Sequence, residues 1–237
     1  MKPRLKLAAT STPDGGELAL YQHDRDFFIE VNGQDLMNSR HHESELELAR
    51  LGCAHLSGRS APAVLIGGLG MGYTLRQALD LLPSRAAVVV GELMATVVEW
   101  NRQFLGVLND HPLADSRVEL KTGDVVELIG STKAEFDAIL LDIDNGPDPM
   151  TWAGNSRLYG YEGMRACRRA LRKDGCLAIW SAAPSKDFEQ LLLSCGFQVQ
   201  RYRVPTHKGS KARSRFVFMA ATNRNLLPPG GSEPRKA

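Results

Sequence analysis

The chain is poor in cysteine: Cys53, Cys167, Cys176 and Cys195 stand far apart among 237 residues, with no Cys-x-x-Cys pair. That spacing excludes a disulfide framework and a zinc ribbon, and reads as reduced, mostly buried thiols. No charge of one sign dominates either. Against 29 Lys and Arg stand 27 Asp and Glu, a net of +2, so no global field draws the chain to nucleic acid or a membrane surface. No stretch reaches the roughly 18 uninterrupted apolar residues that a membrane span needs, and Glu92 interrupts the best candidate. The basic opening Met1-Lys2-Pro3-Arg4 leads into no apolar signal segment. The cytoplasm is therefore the expected compartment, and no membrane is expected as a partner.

What remains is ordinary globular material, 43% apolar and 24% charged, enough for one full domain with a small appendage. The charge is uneven at one end. From Val199 onward nine Lys and Arg face a single acid, Glu233, which reads as a solvated surface and tail or, less simply, as a phosphate-contacting face.

Residues 1–16 are polar and end in the turn signal Pro13-Asp14-Gly15-Gly16, which predicts a flexible N-terminus. Residues 17–58 predict a β-hairpin (17–22 and 26–31, with Asn32-Gly33 turning the chain again) and an amphipathic helix over 44–56. For that helix Ser44 is the expected N-cap, with Leu46, Leu48 and Leu51 on its apolar face. Over 62–222 continuous apolar runs at 63–66, 86–90, 136–141 and 176–180, and a weaker one at 117–120, alternate with helical patterns. Strands covered by helices on both faces carry such runs. The expected fold class is thus α/β, a doubly wound sheet of about seven strands. The strands at 197–204 and 215–221 have no helix between them, so the last should be antiparallel. Residues 223–237 are rich in Pro, Gly and charge and are expected to be a disordered tail.

The strongest chemical signal is Val64-Leu65-Ile66-Gly67-Gly68-Leu69-Gly70-Met71-Gly72, a buried strand entering a glycine-rich turn that opens a helix. Glycines allow close backbone approach, and the helix start offers free N–H groups to an anion. The dinucleotide spacing would place its last glycine at Tyr73. Gly68-x-Gly70-x-Gly72 instead suits an adenosylmethionine-type nucleoside, unless the glycines only serve packing. The next strand ends at Glu92, 20 positions after Gly72. A carboxylate there can accept from both ribose hydroxyls, or simply stabilise a helix start. Asp124 in Lys121-Thr122-Gly123-Asp124 can meet an adenine amino group or cap a helix. The fourth strand ends Leu141-Asp142-Ile143-Asp144, with Asp148 close behind. Carboxylates at this place can hold a cationic amine and take its proton as it attacks a sulfonium carbon; a capped loop is the plainer alternative. No His pattern nearby suggests a metal, and none is expected.

In order and spacing, VLIGGLGMG, VVVGE, KTGD, FDAILLDIDNGPDP and YEGMRACRRALRKDGCLAIW resemble the spermidine synthase family of polyamine aminopropyltransferases. The resemblance covers about residues 17–221 and implies the Rossmann-like adenosylmethionine methyltransferase fold behind a small N-terminal β-domain. It implies that Gly68, Gly70, Gly72, Glu92 and Asp124 line the nucleoside site, and that Asp142 accepts the proton with Asp144 beside it. The implied co-substrate is S-adenosylmethionine or its decarboxylated form, and the implied partner a small-molecule amine. Nucleic acid is not expected as a partner, and pairing with a second copy as a homodimer is left open. Departures are visible. The family's turn reads GGGDGG, with an Asp for the donor's ammonium, where this chain has Gly70. The family's second acid, three positions after the catalytic one, is Asn145 here. The segment His41-His42-Glu43-Ser44-Glu45 matches the family's acceptor-binding stretch poorly. Two readings follow: a transferase moving an aminopropyl or methyl group to an amine, or a non-catalytic nucleoside-binding or RNA-associated protein.

Overall fold

In the computed structural model of the protein, residues 3–143, 146, 156–207 and 214–234 are described. They form two sheets. The first is an antiparallel meander of β1 (Leu5–Ser11), β2 (Glu17–His23), β3 (Asp26–Val31) and β4 (Gln34–Asn38). Asn32 and Gly33 connect β3 to β4 with φ of 49° and 76°, the left-handed pair that a two-residue hairpin turn demands.

The N-terminus departs from expectation, because Leu5–Ser11 is a strand and not a frayed end. It pairs with β2 from Leu5↔Gln22 to Ser11↔Glu17, and so satisfies an edge that would otherwise expose its donors. Its polar side chains are engaged: Arg4 lies 3.9 Å from the Phe28 ring centre and bonds Asp35 at 2.8 Å, while Lys6 pairs with Glu17 at 2.5 Å.

The second sheet has seven strands in the order β10-β11-β9-β8-β5-β6-β7. They are β5 (Ala63–Gly67), β6 (Ala87–Glu92), β7 (Val118–Thr122), β8 (Phe136–Leu141), β9 (Leu171–Ser181), β10 (Gln198–Pro205) and β11 (Ser214–Ala221). The first five run parallel, and β11 lies antiparallel between β9 and β10. Helices α1 (Glu43–Cys53), α2 (Tyr73–Leu81), α3 (Ala95–Trp100), α4 (Val125–Ser131), α5 (Tyr161–Ala170) and α6 (Lys186–Ser194) accompany these strands. The uninterrupted apolar strands follow from this cover, and all six residues of β8 are buried. None of the described helices is long and apolar enough to cross a membrane.

Helix α1 sits differently from its expected face. It starts at Glu43, and Ser44, Glu45, Leu48, Ala49, Gly52 and Cys53 are buried, whereas Leu46 and Leu51 are only partly so. Ser44 is thus inside the first turn and not the cap. The rotation follows from Gly52, where an added Cβ would stand 2.9 Å from Leu140 and 3.1 Å from Ala178. The helix rests directly on β8 and β9 there, and that contact turns Glu45 inward.

The expected disordered tail is also corrected for residues 223–234. A short 3₁₀ turn at Arg224–Leu226 is followed by Ser232, whose N–H and C=O both bond Arg201 at 2.8 Å. The Tyr202 hydroxyl reaches the Pro228 carbonyl, and Leu226 and Leu227 pack on the core. A Pro-rich segment unsuited to helix can still cover the open edge of β10. Residues 235–237 and the basic loop over 208–213 lie outside the described residues.

Candidate functional site

Strand register assembles the site. Gly67 stands level with Gly91 and with Leu141. The residues that follow, Gly68, Glu92 and Asp142, therefore emerge together at the carboxyl ends of β5, β6 and β8. Successive strands proceed to one side from β5 and to the other through β8, so this is the switch point of the sheet. The turn is held tightly. Gly68 N–H donates to the Gly91 carbonyl and Asp142 N–H to the Gly67 carbonyl, both at 2.8 Å. Gly68 has φ +91°, and a Cβ on it would lie 2.2 Å from the Asp142 carbonyl oxygen, so the turn can pass β8 only as glycine.

Gly68, Gly70, Glu92, Asp124 and Asp142 line one cavity at this point. Gly72 does not; it precedes α2 with φ +84°, packed near Asn101 and Pro112 behind the turn. Asp144 and Asp148 lie outside the described residues. The N-terminal sheet supplies the facing wall through Leu18, Ile29, Leu36 and Met37, while Leu93, Met94, Val125 and Ile143 flank Glu92 and Asp124.

Each acid has defined partners. Glu92 is buried, and its two oxygens accept from Leu69 N–H at 2.9 Å and Met94 N–H at 2.8 Å. Burial pushes its pKa up, and those backbone donors partly offset the shift. The Leu93 N–H also favours the charged form, and the carboxylate keeps acceptor capacity beyond these donors. Asp124 caps α4 through Val126 N–H at 2.8 Å and pairs with Arg157 at 2.9 Å, so the capping role is realised at the cavity edge. Asp142 accepts from the Thr74 hydroxyl at 2.6 Å, and burial raises its pKa.

The sequence reading missed Glu45. It is 9% exposed and lines the cavity with Asp142. Its signal was present, since an acid three positions before Leu48 and four before Ala49 shares their helix face. Trp180 was missed as well; it lines the same cavity from β9, and its ring N–H is buried with no hydrogen-bond partner among the described residues. The glycine turn and Glu92 thus combine a close backbone approach, a buried carboxylate and apolar side chains at one cavity.

Residues 51–192 match the family model described as spermine/spermidine synthase domain. A polyamine aminopropyltransferase of Nitrosomonas europaea is 34% identical over 122 residues, covering 52% of this chain and 35% of that protein. One from Saccharolobus solfataricus is 31% identical over 127 residues, covering 54% and 41%. The matches thus span well under two thirds of these curated relatives. Among solved structures, the spermidine synthase of Thermotoga maritima superposes with a TM-score of 0.76 at 20% identity, over 95% of this chain and 76% of that one. A spermidine synthase in complex with a transition-state analogue gives 0.73, also at 20% identity, with the same coverage of both chains.

Proposed function

The chain belongs to the spermine/spermidine synthase family, and from that premise we propose that it transfers an aminopropyl group from decarboxylated S-adenosylmethionine to a small amine. The observation that carries this reading is the placement of Asp142, a half-buried carboxyl, level with Glu92 and the glycine turn in one cavity. Glu92 accepts the ribose hydroxyls, Gly68 and Gly70 let the backbone approach, and Asp124 marks the adenine end. The bound sulfonium supplies an activated carbon and a thioether leaving group.

Asp142 handles the proton. An amine is protonated in neutral water and cannot attack until it loses a proton. The Asp142 carboxylate draws in the ammonium and accepts that proton as the new C–N bond forms and the C–S bond breaks. The products are methylthioadenosine, the lengthened amine and a protonated Asp142 that returns its proton to water. Burial favours this role, because a raised pKa makes the carboxylate a stronger base. Methyl transfer and the RNA-associated reading find no support in the relatives named above, which are aminopropyltransferases and spermidine synthases.

The test is incubation with decarboxylated S-adenosylmethionine and butane-1,4-diamine, read by mass spectrometry. Methylthioadenosine and aminopropylated diamine should appear in equal amounts. Adenosylhomocysteine from intact S-adenosylmethionine, or no product from either donor, would overturn the reading. Within it, Glu92→Gln should weaken methylthioadenosine binding about ten- to a hundredfold, the scale of lost charge-assisted hydrogen bonds. Calorimetry showing unchanged affinity would remove Glu92 from the nucleoside site.

A further inference from the structure

We propose that Glu45 determines the specificity of this site for cations: Glu45 and Asp142 share one proton while no cation is bound, and a ligand ammonium takes that proton's place. The proposal deepens the functional reading and rests on it. The two carboxyls come from α1 and β8 and converge on the cavity. They also converge on a smaller recess beneath the glycine turn, lined with them by Met37, Gly70, Met71 and Tyr73. The partners of both are neutral. The Ser44 hydroxyl donates to Glu45 at 2.5 Å and the Thr74 hydroxyl to Asp142 at 2.6 Å. Among the described residues neither carboxyl has a cation at ion-pair distance.

The surroundings of Glu45 are therefore these. On its own helix stands Ser44, and Glu43 is paired away with Arg50. From β8 comes Asp142, whose charge pushes the Glu45 pKa up beyond the effect of burial. From α2 come Thr74 and Tyr73, with His42 stacked on the Tyr73 ring and hydrogen-bonded to the Ser39 carbonyl. From β11, Arg215 attracts Glu45 weakly while its guanidinium lies 5.8 Å from the Trp180 ring centre. A buried and a half-buried acid that line one recess without a cation cannot both ionise cheaply, so they titrate as one unit and keep a proton between them. Each carboxyl accepts from one hydroxyl, so that contact does not separate them. Asp142 is the one better able to stay ionised, because aspartic acid is the stronger acid and because its charge pushes Glu45 up beyond the effect of burial. Glu45 is then the proton's main holder. A bound ammonium supplies the missing positive charge to both groups and expels the proton. A neutral ligand of the same shape gains nothing from the exchange.

The test is calorimetric titration of the full chain, saturated with methylthioadenosine, with butane-1,4-diamine at pH 7 in two buffers of different ionisation heat. The wild type should release up to about one proton per diamine, as a shared-proton pair requires. Glu45→Gln should bind diamine at least about tenfold more weakly, as expected when one charge of a buried site is lost. It should also release almost no proton, with methylthioadenosine affinity unchanged, and Glu45→Asp should restore the release. A merely structural Glu45 would leave the proton count alone. Equal proton release by wild type and Glu45→Gln, or equal wild-type affinity for butane-1,4-diol and the diamine, overturns the proposal. A wild type that binds methylthioadenosine but forms no product with either donor defeats the functional reading instead, whatever the proton count.

Discussion

Asp142→Asn should lower turnover by about 10²–10⁴-fold, the usual contribution of a positioned proton acceptor, while leaving methylthioadenosine affinity nearly unchanged. Asparagine is almost isosteric and can still accept from the Thr74 hydroxyl that Asp142 meets at 2.6 Å. The backbone bond from residue 142 to the Gly67 carbonyl does not depend on the side chain. What disappears is the ability to take a proton. The pH profile separates this loss from a distorted site. In the wild type kcat/KM should rise with pH through a range above that of an ordinary aspartate, because the raised carboxyl must ionise before it can act. The asparagine variant should show residual activity without that rise. Wild-type turnover in Asp142→Asn would send the proton elsewhere.

Asp137→Ala should cost about 3 kcal/mol of stability, summing charge-assisted bonds discounted for their half-exposed partners. At roughly 2–4 °C per kcal/mol for a chain of this size, the melting temperature should fall by about 6–12 °C. Asp137 is 1% exposed at the start of β8, the end of the sheet away from the cavity. Its carboxylate accepts from Arg59 and Arg172 at 2.6 Å each and from Ala63 N–H at 2.8 Å. Its carbonyl meets the His55 ring at 2.8 Å. One side chain thus ties the entries of β5, β8 and β9 together. Thermal melts at neutral pH give the loss, and methylthioadenosine affinity measured well below the melt should stay at the wild-type value. A shift under about 1 °C would mean that solvent already screens both guanidinium pairs.

The legible parts of this fold were those whose pattern is local. Val64–Ile66 and Ile139–Leu141 are continuous apolar runs because each strand is buried on both faces, and the glycine turn and Glu92 sit at fixed distances from them. Strand β1 was not legible. Its mixture of exposed and half-buried residues, with Lys6 exposed and Leu7 and Ala8 half-buried, resembles a loop until β2 supplies a partner. The tail was misread for a related reason, since nothing in Pro228-Pro229-Gly230-Gly231 announces that Arg201 will pair with Ser232. Glu45 escaped because its role is a long-range fact. The pattern of α1 offers two apolar faces, one with Leu46 and Leu51 and one with Leu48 and Ala49, and the seating of Gly52 on Leu140 and Ala178 selects the second, which carries Glu45. The second carboxylate expected at Asp144 lies outside the described residues, and among those described α1 brings Glu45 to the same cavity as Asp142.

The place of β11 between β9 and β10 has a consequence for how the protein is made. Synthesis runs from the N-terminal side, so β9 emerges from the ribosome before the strand that will cover its flank. During that interval the fully buried stretch Cys176–Ile179 has an open, apolar margin able to pair with any extended neighbour. The hairpin of β10 and β11 must then swing in as a unit, its later arm inward, so that Val217–Ala221 become an interior strand with no solvent exposure. The hazard for the nascent chain thus falls between the appearance of β9 and that of β11. A chain in which β9 is exposed and β11 is not yet available leaves that apolar margin uncovered.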